Sequence, residues 1–392
     1  MHVLIAPDKF KGSLTAAQVA DAVSAGLRAE RPDVVLVRVL VADGGDGTVD
    51  AAVAAGFERV PVTAAGPTGL PVRSSYARRG SVAVVELAGV CGLSRLPGCE
   101  FDPLGASSYG VGEVIRAALD AGAHRIVLGI GGSASTDGGA GLLQALGARI
   151  LDAHGDPLGR GGGVLGAAAT LDLSELHLGL RAVQLAVASD VDNPLTGPDG
   201  AAAVYGPQKG ADPDQVRALD DALRQWAAVV ASAVGTDHSG EPGAGAAGGV
   251  GVAALALGAQ LSSGIDLVLD LVGFDAALGG ADLVITGEGS LDRQTLSGKA
   301  PAGVAAAARR AGVAVVAVAG RCSLSPDELS GAGFGAVYAL TDLEPDVERC
   351  IADAPALLEQ LGRKLAGRLP RCATSGCPTP PEVAQSGAER SR

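Results

Sequence analysis

Five glycine-rich segments carry carboxylates, hydroxyls or lysines in patterns that suit the binding of an anionic ligand. Each of them follows a predicted strand. Because ligands of open α/β sheets bind at the carboxyl ends of strands, the five segments together indicate one polar site. The ligand would carry several anionic groups, or be an anion together with a metal ion. The segments are PDKFKGS (7–13), ADGGDGT (42–48), GIGGSASTDGG (129–139), ASDVDNPLTG (188–197) and TGEGSLDRQTLSGKAP (286–301).

The third segment is a candidate phosphate-binding loop. The backbone N–H groups of Gly131, Gly132 and Ser133 could hold a phosphate at the N-terminus of the helix that follows. The segment is neither a Walker A sequence nor the G-x-G-x-x-G dinucleotide fingerprint. For this loop alone, a tight turn into a helix is an equally open interpretation.

The fifth segment adds a second candidate for phosphate binding. Gly287 and Gly289 would let the backbone approach a ligand, and Glu288 flanks the same turn. Lys299 stands at the start of a predicted helix, where a cation is unfavourable unless an anion lies nearby. Lys209, in YGPQKGA, is a further but weaker candidate for a phosphate contact.

The fourth segment places two carboxylates and an amide after a buried strand. Asp190 and Asp192 are two residues apart, with Asn193 beside them. Such a group can hold Mg²⁺ through oxygen ligands, or supply a base for a hydroxyl. An Asx turn ahead of Pro194 is the structural alternative.

Other catalytic chemistries have little support in the sequence. The five histidines form no cluster, so neither a histidine-metal site nor a Ser-His-Asp triad is indicated, and none of the five segments contains a cysteine. Phosphoryl transfer needs a carboxylate near the attacking hydroxyl, Mg²⁺, and lysines and backbone N–H groups on the phosphates. The segments supply all of these residue types.

The elements around these segments predict an α/β protein with two domains. Residues 1–56 give the pattern β-loop-α-β-loop-α, which is typical of a parallel sheet with helices on its faces. The pattern returns late, with a strand at 281–286 and a last long helix at 346–366. We therefore expect one Rossmann-like, doubly wound parallel sheet built from both chain ends (1–60 plus 276–370), an inserted α/β domain (61–275) and a disordered tail (371–392).

Composition excludes several classes of protein. A net charge of −13 argues against non-specific nucleic-acid binding, although a local positive site for a small anion remains possible. No signal peptide or membrane-spanning segment is predicted, and the apolar stretch 243–259 is interpreted as a loop and a buried helix. The six scattered cysteines are typical of reduced thiols, so we expect a cytoplasmic protein.

With these segments in view, the sequence resembles the glycerate kinase type I family, the bacterial glycerate 2-kinases, over about residues 1–370. The matching motifs are IAPDKFKGSL, VADGGDGTVD, GIGGSASTDGGAGLLQALGA, DVDNPLTGPDGAA with YGPQKGA, and TGEGSLDRQTLSGKAPAGVA. The family usually has Ser where this chain has Lys9, and Asn-Asp where it has Thr136-Asp137. The resemblance implies ATP- and Mg²⁺-dependent phosphorylation of D-glycerate, usually at the 2-hydroxyl, in a cleft between two α/β domains.

The resemblance suggests a role for each candidate residue. Asp190 would orient and deprotonate the hydroxyl, and Lys11 would hold the substrate carboxylate or a phosphate. Three acidic residues would hold Mg²⁺ directly or through water: Asp43, Asp192 and Glu288. The remaining residues expected to bind substrate or nucleotide are Asp8, Gly131, Gly132, Ser133, Asp137, Asn193, Gly287, Gly289 and Lys299.

Three alternatives to this function stay open at the level of sequence. The chain could phosphorylate the 3-hydroxyl of glycerate, or phosphorylate another small hydroxy acid through the same loops. It could also be a non-catalytic, ligand-binding regulator, which the carboxylate-rich loops disfavour. The expected partners are therefore small molecules, with no nucleic acid and no membrane.

Overall fold

The computed structural model describes residues 1–370, apart from the side chain of Ser297, so the predicted disordered tail (371–392) lies outside the described residues. The strands are β1 (His2–Pro7), β2 (Val35–Arg38), β3 (Glu58–Ala65), β4 (Pro71–Arg79), β5 (Val82–Glu86), β6 (Arg125–Gly129), β7 (Arg149–Leu151), β8 (Thr170–Asp172), β9 (Gln184–Ala188), β10 (Gln260–Ser262), β11 (Leu283–Leu291), β12 (Ala314–Cys322) and β13 (Ala336–Ala339).

Helices lie between most of these strands, as the alternating pattern predicts. The helices are α1 (Ala16–Glu30), α2 (Thr48–Ala54), α3 (Ala88–Cys91), α4 (Tyr109–Asp120), α5 (Ala140–Ala145), α6 (Ala201–Tyr205), α7 (Pro213–Val234), α8 (Ala246–Ala256), α9 (Gly264–Val272), α10 (Phe274–Leu278), α11 (Ala300–Arg310), α12 (Pro326–Ala332), α13 (Val347–Ala352) and α14 (Ala354–Arg368).

The first sheet is built from both ends of the chain. Its strand order is β13-β12-β11-β1-β2, and every pairing is parallel. The register places Ile5 of β1 beside Ile285 of β11, so segments 280 residues apart along the chain are neighbours at the centre of the sheet. The predicted α/β fold with a doubly wound parallel sheet is confirmed.

Helices cover both faces of this sheet. On one face, α1 and α14 pack over side chains of β1 and β11 such as Val3 and Ile285. On the other face, α9, α10 and α11 pack over the alternate side chains, such as Leu4 and Val284. The backbones of α1 and α14 nearly touch, because a Cβ on Gly26 would lie 2.0 Å from the carbonyl oxygen of Glu359.

The second sheet has the order β10-β9-β6-β5-β4-β3. Strands β5, β6, β9 and β10 are parallel, whereas β3, β4 and β5 form an antiparallel meander. Helices α4, α5, α7 and α8 cover one face around the fully buried Trp226. Helices α2 and α9 cover the other face. Strand β3 already begins at Glu58, and the exact division into domains stays a prediction.

Two elements differ from the prediction. The strand predicted at 281–286 continues to Leu291, because β12 pairs with it as far as Leu291 and Cys322. The single helix predicted at 346–366 is two helices that meet at Asp353. Pro355 explains the break, since proline has no N–H and its ring clashes with the carbonyl four residues earlier.

Within the described residues, no helix combines the length and the apolar character needed to span a bilayer.

Candidate active site

A cleft of about 680 Å³ opens where the carboxyl ends of β1, β11 and β12 face the loop that follows β6. Four of the five predicted segments meet in it: three follow strands of the first sheet, whose carboxyl ends share one edge, and the fourth follows β6 of the second sheet. The segment after β9 is the one that does not line it. The predicted site residues that line the cleft are Asp8, Lys11, Asp43, Gly131, Gly132, Glu288, Gly289 and Lys299.

Asp8 is a buried carboxylate at the end of β1. It is 8% exposed, and its Oδ1 accepts a hydrogen bond from the N–H of Lys9 at 2.7 Å. Burial raises its pKa to about 7, and repulsion by the Asp43 carboxylate adds to this effect. Asp8 therefore carries only part of its charge at neutral pH, unless a cation enters the cleft.

Glu288 and Lys299 face each other across the same cleft. Lys299 Nζ lies 4.0 Å from Glu288 Oε2, and the hydroxyl of Thr295 donates to Glu288 Oε1. Burial raises the pKa of Glu288. Lys299 is also the N-cap residue of α11, so its ammonium and the positive end of that helix stand together. An anion is favoured at this point.

The two lysines of the first segment have different surroundings. The ammonium of Lys9 donates to the backbone oxygen of Asp46 and lies 3.1 Å from its Oδ2. Lys11 is exposed and lines the cleft. Lys9 therefore joins two loops, while Lys11 is the lysine of this pair better placed to meet a ligand.

The loop after β6 rests on the loop before α2. The N–H of Gly131 donates to the carbonyl oxygen of Gly44 at 3.3 Å. A Cβ on Gly131 would lie 2.7 Å from the Cα of Gly45, so only glycine allows this approach. This contact brings a loop of the second sheet into the cleft of the first.

Lys209 lies beneath the 131–135 loop and not in the cleft. It is 2% exposed, and its ammonium donates to Ser133 Oγ at 2.9 Å and to the carbonyl oxygen of Ser135 at 2.6 Å. Burial lowers its pKa to about 8. The Ser133 side chain is buried with it, and the prediction that the backbone N–H of Ser133 binds phosphate stays a prediction. The structure assigns both side chains to holding the loop.

Asp137 is fully buried and fixes the start of two helices. Its Oδ2 accepts hydrogen bonds from the N–H of Ser108 at 2.7 Å and from the Ser108 hydroxyl at 2.9 Å, next to the start of α4. Its Oδ1 accepts from the N–H of Gly139, before α5. Asp137 was predicted to bind a ligand, but the structure surrounds it with donors of its own chain.

The segment after β9 stands beside the cleft. Asp190 is exposed, and its Oδ1 accepts from the N–H of Gly264 at 2.8 Å. Desolvation of its carboxyl raises its pKa to about 6, and the charge of Asp43 contributes. A Cβ on Gly298 would lie 3.9 Å from the Asp190 carboxyl carbon, which places Asp190 next to the residue that precedes Lys299.

The other two predicted residues of this segment do not line the cleft. Asp192 is exposed and is not among the residues that line it. The amide of Asn193 donates to the carbonyl oxygen of Asp199 at 2.8 Å and accepts from the hydroxyl of Tyr205 at 2.7 Å. The structure therefore shows the Asn193 side chain stabilising its own loop, through contacts other than those of an Asx turn.

Gly287 has a packing role within β11. A Cβ there would lie 2.1 Å from the carbonyl oxygen of Val318 on β12. Gly289, two residues on, lies on the cleft wall against the backbone of Phe10. Of these two glycines, only Gly289 lines the cleft.

The carboxylates of the cleft suit a divalent cation that arrives with a ligand. Asp8, Asp43 and Glu288 line the cleft together, and Asp43 contributes to the raised pKa of both of the others. Among the described residues, no group of three or more His, Cys, Asp or Glu side chains could hold a metal ion unaided. Mg²⁺ commonly binds through one or two carboxylates plus substrate phosphates, and this donor set fits that use.

Several lining residues were missed by reasoning from the sequence. Gly320 and Arg321 lie in the last three residues of β12, at the same edge of the sheet, and a glycine and an arginine at a strand end were an available signal. Val347 and Ile351 of α13 also line the cleft. Two aliphatic residues carry no chemical signature, so only the folded chain reveals their position.

The fold and the cleft together define a two-sheet α/β enzyme of the phosphotransferase kind, with carboxylates, lysines and glycine loops at strand ends. Comparison with known proteins is more specific. Residues 3–369 match the glycerate kinase family, and the chain belongs to that family, as its motifs predicted.

Individual relatives align over nearly their full length. The chain is 44% identical to a glycerate kinase of Bacillus subtilis over 94% of this chain and 98% of that protein. It is 43% identical to the glycerate 2-kinase of Escherichia coli over 87% and 90%. A crystal structure of a "putative glycerate kinase 2" from Salmonella typhimurium LT2 superposes with a TM-score of 0.82 at 42% identity, covering 94% of this chain and 97% of that one.

Proposed function

We propose that this protein is a glycerate kinase that transfers the γ-phosphoryl group of ATP to the 2-hydroxyl of D-glycerate, with Mg²⁺. The observation that carries the proposal is the convergence of four predicted segments on one cleft in a chain of the glycerate kinase family. The cleft brings together the residue types that phosphoryl transfer requires.

Asp190 is the proposed general base. In the reaction, the 2-hydroxyl oxygen of glycerate attacks the γ-phosphorus, the bond to the bridging oxygen of ADP breaks, and the hydroxyl proton passes to the carboxylate. The carboxylate of Asp190 stands beside Asp43 and Gly298 and is not part of the acidic group that lines the cleft. We therefore assign the Asp190 carboxylate to the substrate hydroxyl and not to the cation.

Two lysines of the cleft are assigned to different substrates, Lys299 to ATP and Lys11 to glycerate. Lys299, with the N-terminus of α11, is placed to bind nucleotide phosphates together with the backbone of Gly131, Gly132 and Gly289. Lys11 is placed to hold the carboxylate of glycerate. The charge that develops during the transfer would be stabilised by groups already in position.

Asp8, Asp43 and Glu288 are the residues that would hold the magnesium ion of the nucleotide. When bound, Mg²⁺ neutralises phosphate charge and fixes the geometry of the phosphates. The carboxylates themselves position the nucleotide end of the cleft, and their mutual repulsion favours a charged partner. Asp192, exposed outside the cleft, is no longer proposed as a ligand.

A non-catalytic regulator is the competing class. A protein that only senses an anion gains nothing from several acidic groups in its binding cleft, which weaken the binding of anions. The relatives from Bacillus subtilis and Escherichia coli are named as kinases of glycerate. The kinase is therefore the function we adopt.

The proposal is tested by following ADP release from purified protein with ATP, Mg²⁺ and D-glycerate. Samples without substrate and samples with L-glycerate are the controls. We expect ADP to form with D-glycerate at a rate far above both controls. ATP binding without ADP release would favour the non-catalytic regulator. ADP release with a different hydroxy acid, but not with D-glycerate, would identify that acid as the substrate.

A further inference from the structure

The cleft has a polar part and an apolar part. The polar part holds the carboxylates and lysines described above. The apolar part consists of lining side chains from the first loop and from the segment around α13, and four of them (Phe10, Leu340, Cys350 and Ala354) belong to one buried cluster of the first sheet. We call these residues the apolar shelf: Phe10, Leu340, Val347, Cys350, Ile351 and Ala354.

Two members of the apolar shelf are open to the cleft. Val347 is 46% exposed and Ile351 is 49% exposed, and both line the cleft. Phe10 and Leu340 behind them are buried, at 3% and 1%. Exposed aliphatic side chains inside a concave site, with a buried layer beneath, are typical of ligand pockets.

The shelf is fixed to the loop that carries Asp8 and Lys11. The hydroxyl of Ser13 donates to the carbonyl oxygen of Ile351 at 2.9 Å. That oxygen has no i+4 helical partner, because residue 355 is a proline without an N–H. The break between α13 and α14 thus provides the acceptor that holds α13 against the cleft.

The two substrates of the proposed function, glycerate and ATP, differ in how much apolar surface they can bury against the apolar shelf. Each of the three carbons of glycerate carries an oxygen group, so glycerate has almost no apolar surface to bury. ATP joins an anionic tail to a flat, largely apolar purine. A cleft of about 680 Å³ is within the usual range for small-molecule sites.

We propose that the apolar shelf binds the purine base of ATP, with Val347 and Ile351 against the ring and the triphosphate extending toward Lys299. This assignment rests on the proposed function, since it takes ATP as a substrate. It makes α13 a specificity-determining element that contacts the nucleotide and leaves glycerate untouched.

The test separates the base from the phosphates. Calorimetry would compare the binding of MgATP and of magnesium tripolyphosphate, which has the anionic tail without a base, to the wild type and to a Val347→Ser/Ile351→Ser double variant. We expect the Kd of ATP to rise about tenfold, because apolar contact area is lost. The Kd of tripolyphosphate should change less than about twofold.

The matched control is Val35→Ser on β2. Val35 is 48% exposed, like the two shelf residues, but it does not line the cleft. Its substitution should leave both Kd values unchanged. In the kinase assay, the Val347→Ser/Ile351→Ser double variant should show a raised KM for ATP and an unchanged KM for glycerate, and Val35→Ser should change neither.

Three results would overturn the assignment: equal weakening of ATP and tripolyphosphate, no weakening of either, or a rise confined to the KM for glycerate. Failure of the proposed function looks different. In that case the wild type would bind ATP, with the double variant weaker, while no ADP formed with D-glycerate.

Discussion

At the scale of residues, the central question is which carboxylate accepts the proton. Asp8 is more buried and lines the cleft, whereas Asp190 stands beside it. Asp8 shares its surroundings with Asp43 and Glu288, as expected of a group that faces a cation. Asp190 accepts one backbone hydrogen bond, from the N–H of Gly264. Because its side chain is exposed, a substrate hydroxyl can approach its carboxylate.

Replacing Asp190 by asparagine should remove the base and keep the shape of the side chain. We expect kcat to fall by about 100-fold or more, because general-base catalysis contributes at least that much in most enzymes. The measurement is steady-state kinetics, with ATP binding as the check on folding. Near-normal turnover of Asp190→Asn would assign the proton to another group, and Asp8→Asn would be the next variant.

The pH profile tests the same residue without a mutation. The pKa of Asp190 is raised to about 6, and a base acts only when it is unprotonated. We therefore expect kcat/KM to fall as the pH drops through about 6, and to be level just above it. A profile that is flat from pH 5 to pH 7 would argue against Asp190.

At the scale of elements, most of the pattern could be predicted from the sequence. The predicted order β-loop-α-β-loop-α of residues 1–56 is found as β1, α1, β2 and α2. The extension of β11 could not be predicted, because its glycines favour a loop locally and pairing with β12 overrides that preference. The helix break before Pro355 was signalled by the proline itself and was missed.

The packing of α1 on α14 makes a quantitative prediction about stability. Gly26→Ala should lower the free energy of unfolding by about 1–3 kcal/mol, because the new methyl group would overlap the backbone of α14 at Glu359. Gly367→Ala is the matched control, since a Cβ there meets nothing within 4 Å. It should raise stability by up to about 1 kcal/mol. Urea titrations would measure both, and equal effects would contradict the packing.

At the scale of the whole molecule, the site depends on two sheets meeting. The sequence predicts one site for all five segments, because strand-end loops of a parallel sheet share an edge. Three of the four segments that meet in the cleft follow strands of the first sheet, and the fourth comes from the second sheet, a meeting that this rule does not predict. The sequence could not show that Lys209 and Asp137 lie beneath the surface, since a polar residue near a glycine loop looks the same whether it faces a ligand or supports the backbone. The burial of Lys209 and Asp137 in the structure shows that these two side chains support the backbone.

A substitution at the contact between Gly131 and the loop at Gly45 tests how closely the two sheets must approach for activity. Gly131→Ala should push the loops apart and lower kcat/KM by about tenfold to a hundredfold, because small misplacements of substrate-binding groups are costly. The control is Gly166→Ala, where a Cβ meets nothing within 4 Å. Thermal unfolding should show both variants folded. Full activity in Gly131→Ala would mean that the cleft tolerates a wider separation.

The most direct test of the central claim is the phosphorus NMR spectrum of the product formed from ATP, Mg²⁺ and D-glycerate. A phosphate on the 2-oxygen couples to the single proton of C2 and gives a doublet, and we predict this signal. A triplet, from coupling to the two protons of C3, would mean that the protein is a kinase that phosphorylates the 3-hydroxyl instead of the 2-hydroxyl. The absence of any phosphoglycerate signal would contradict the account.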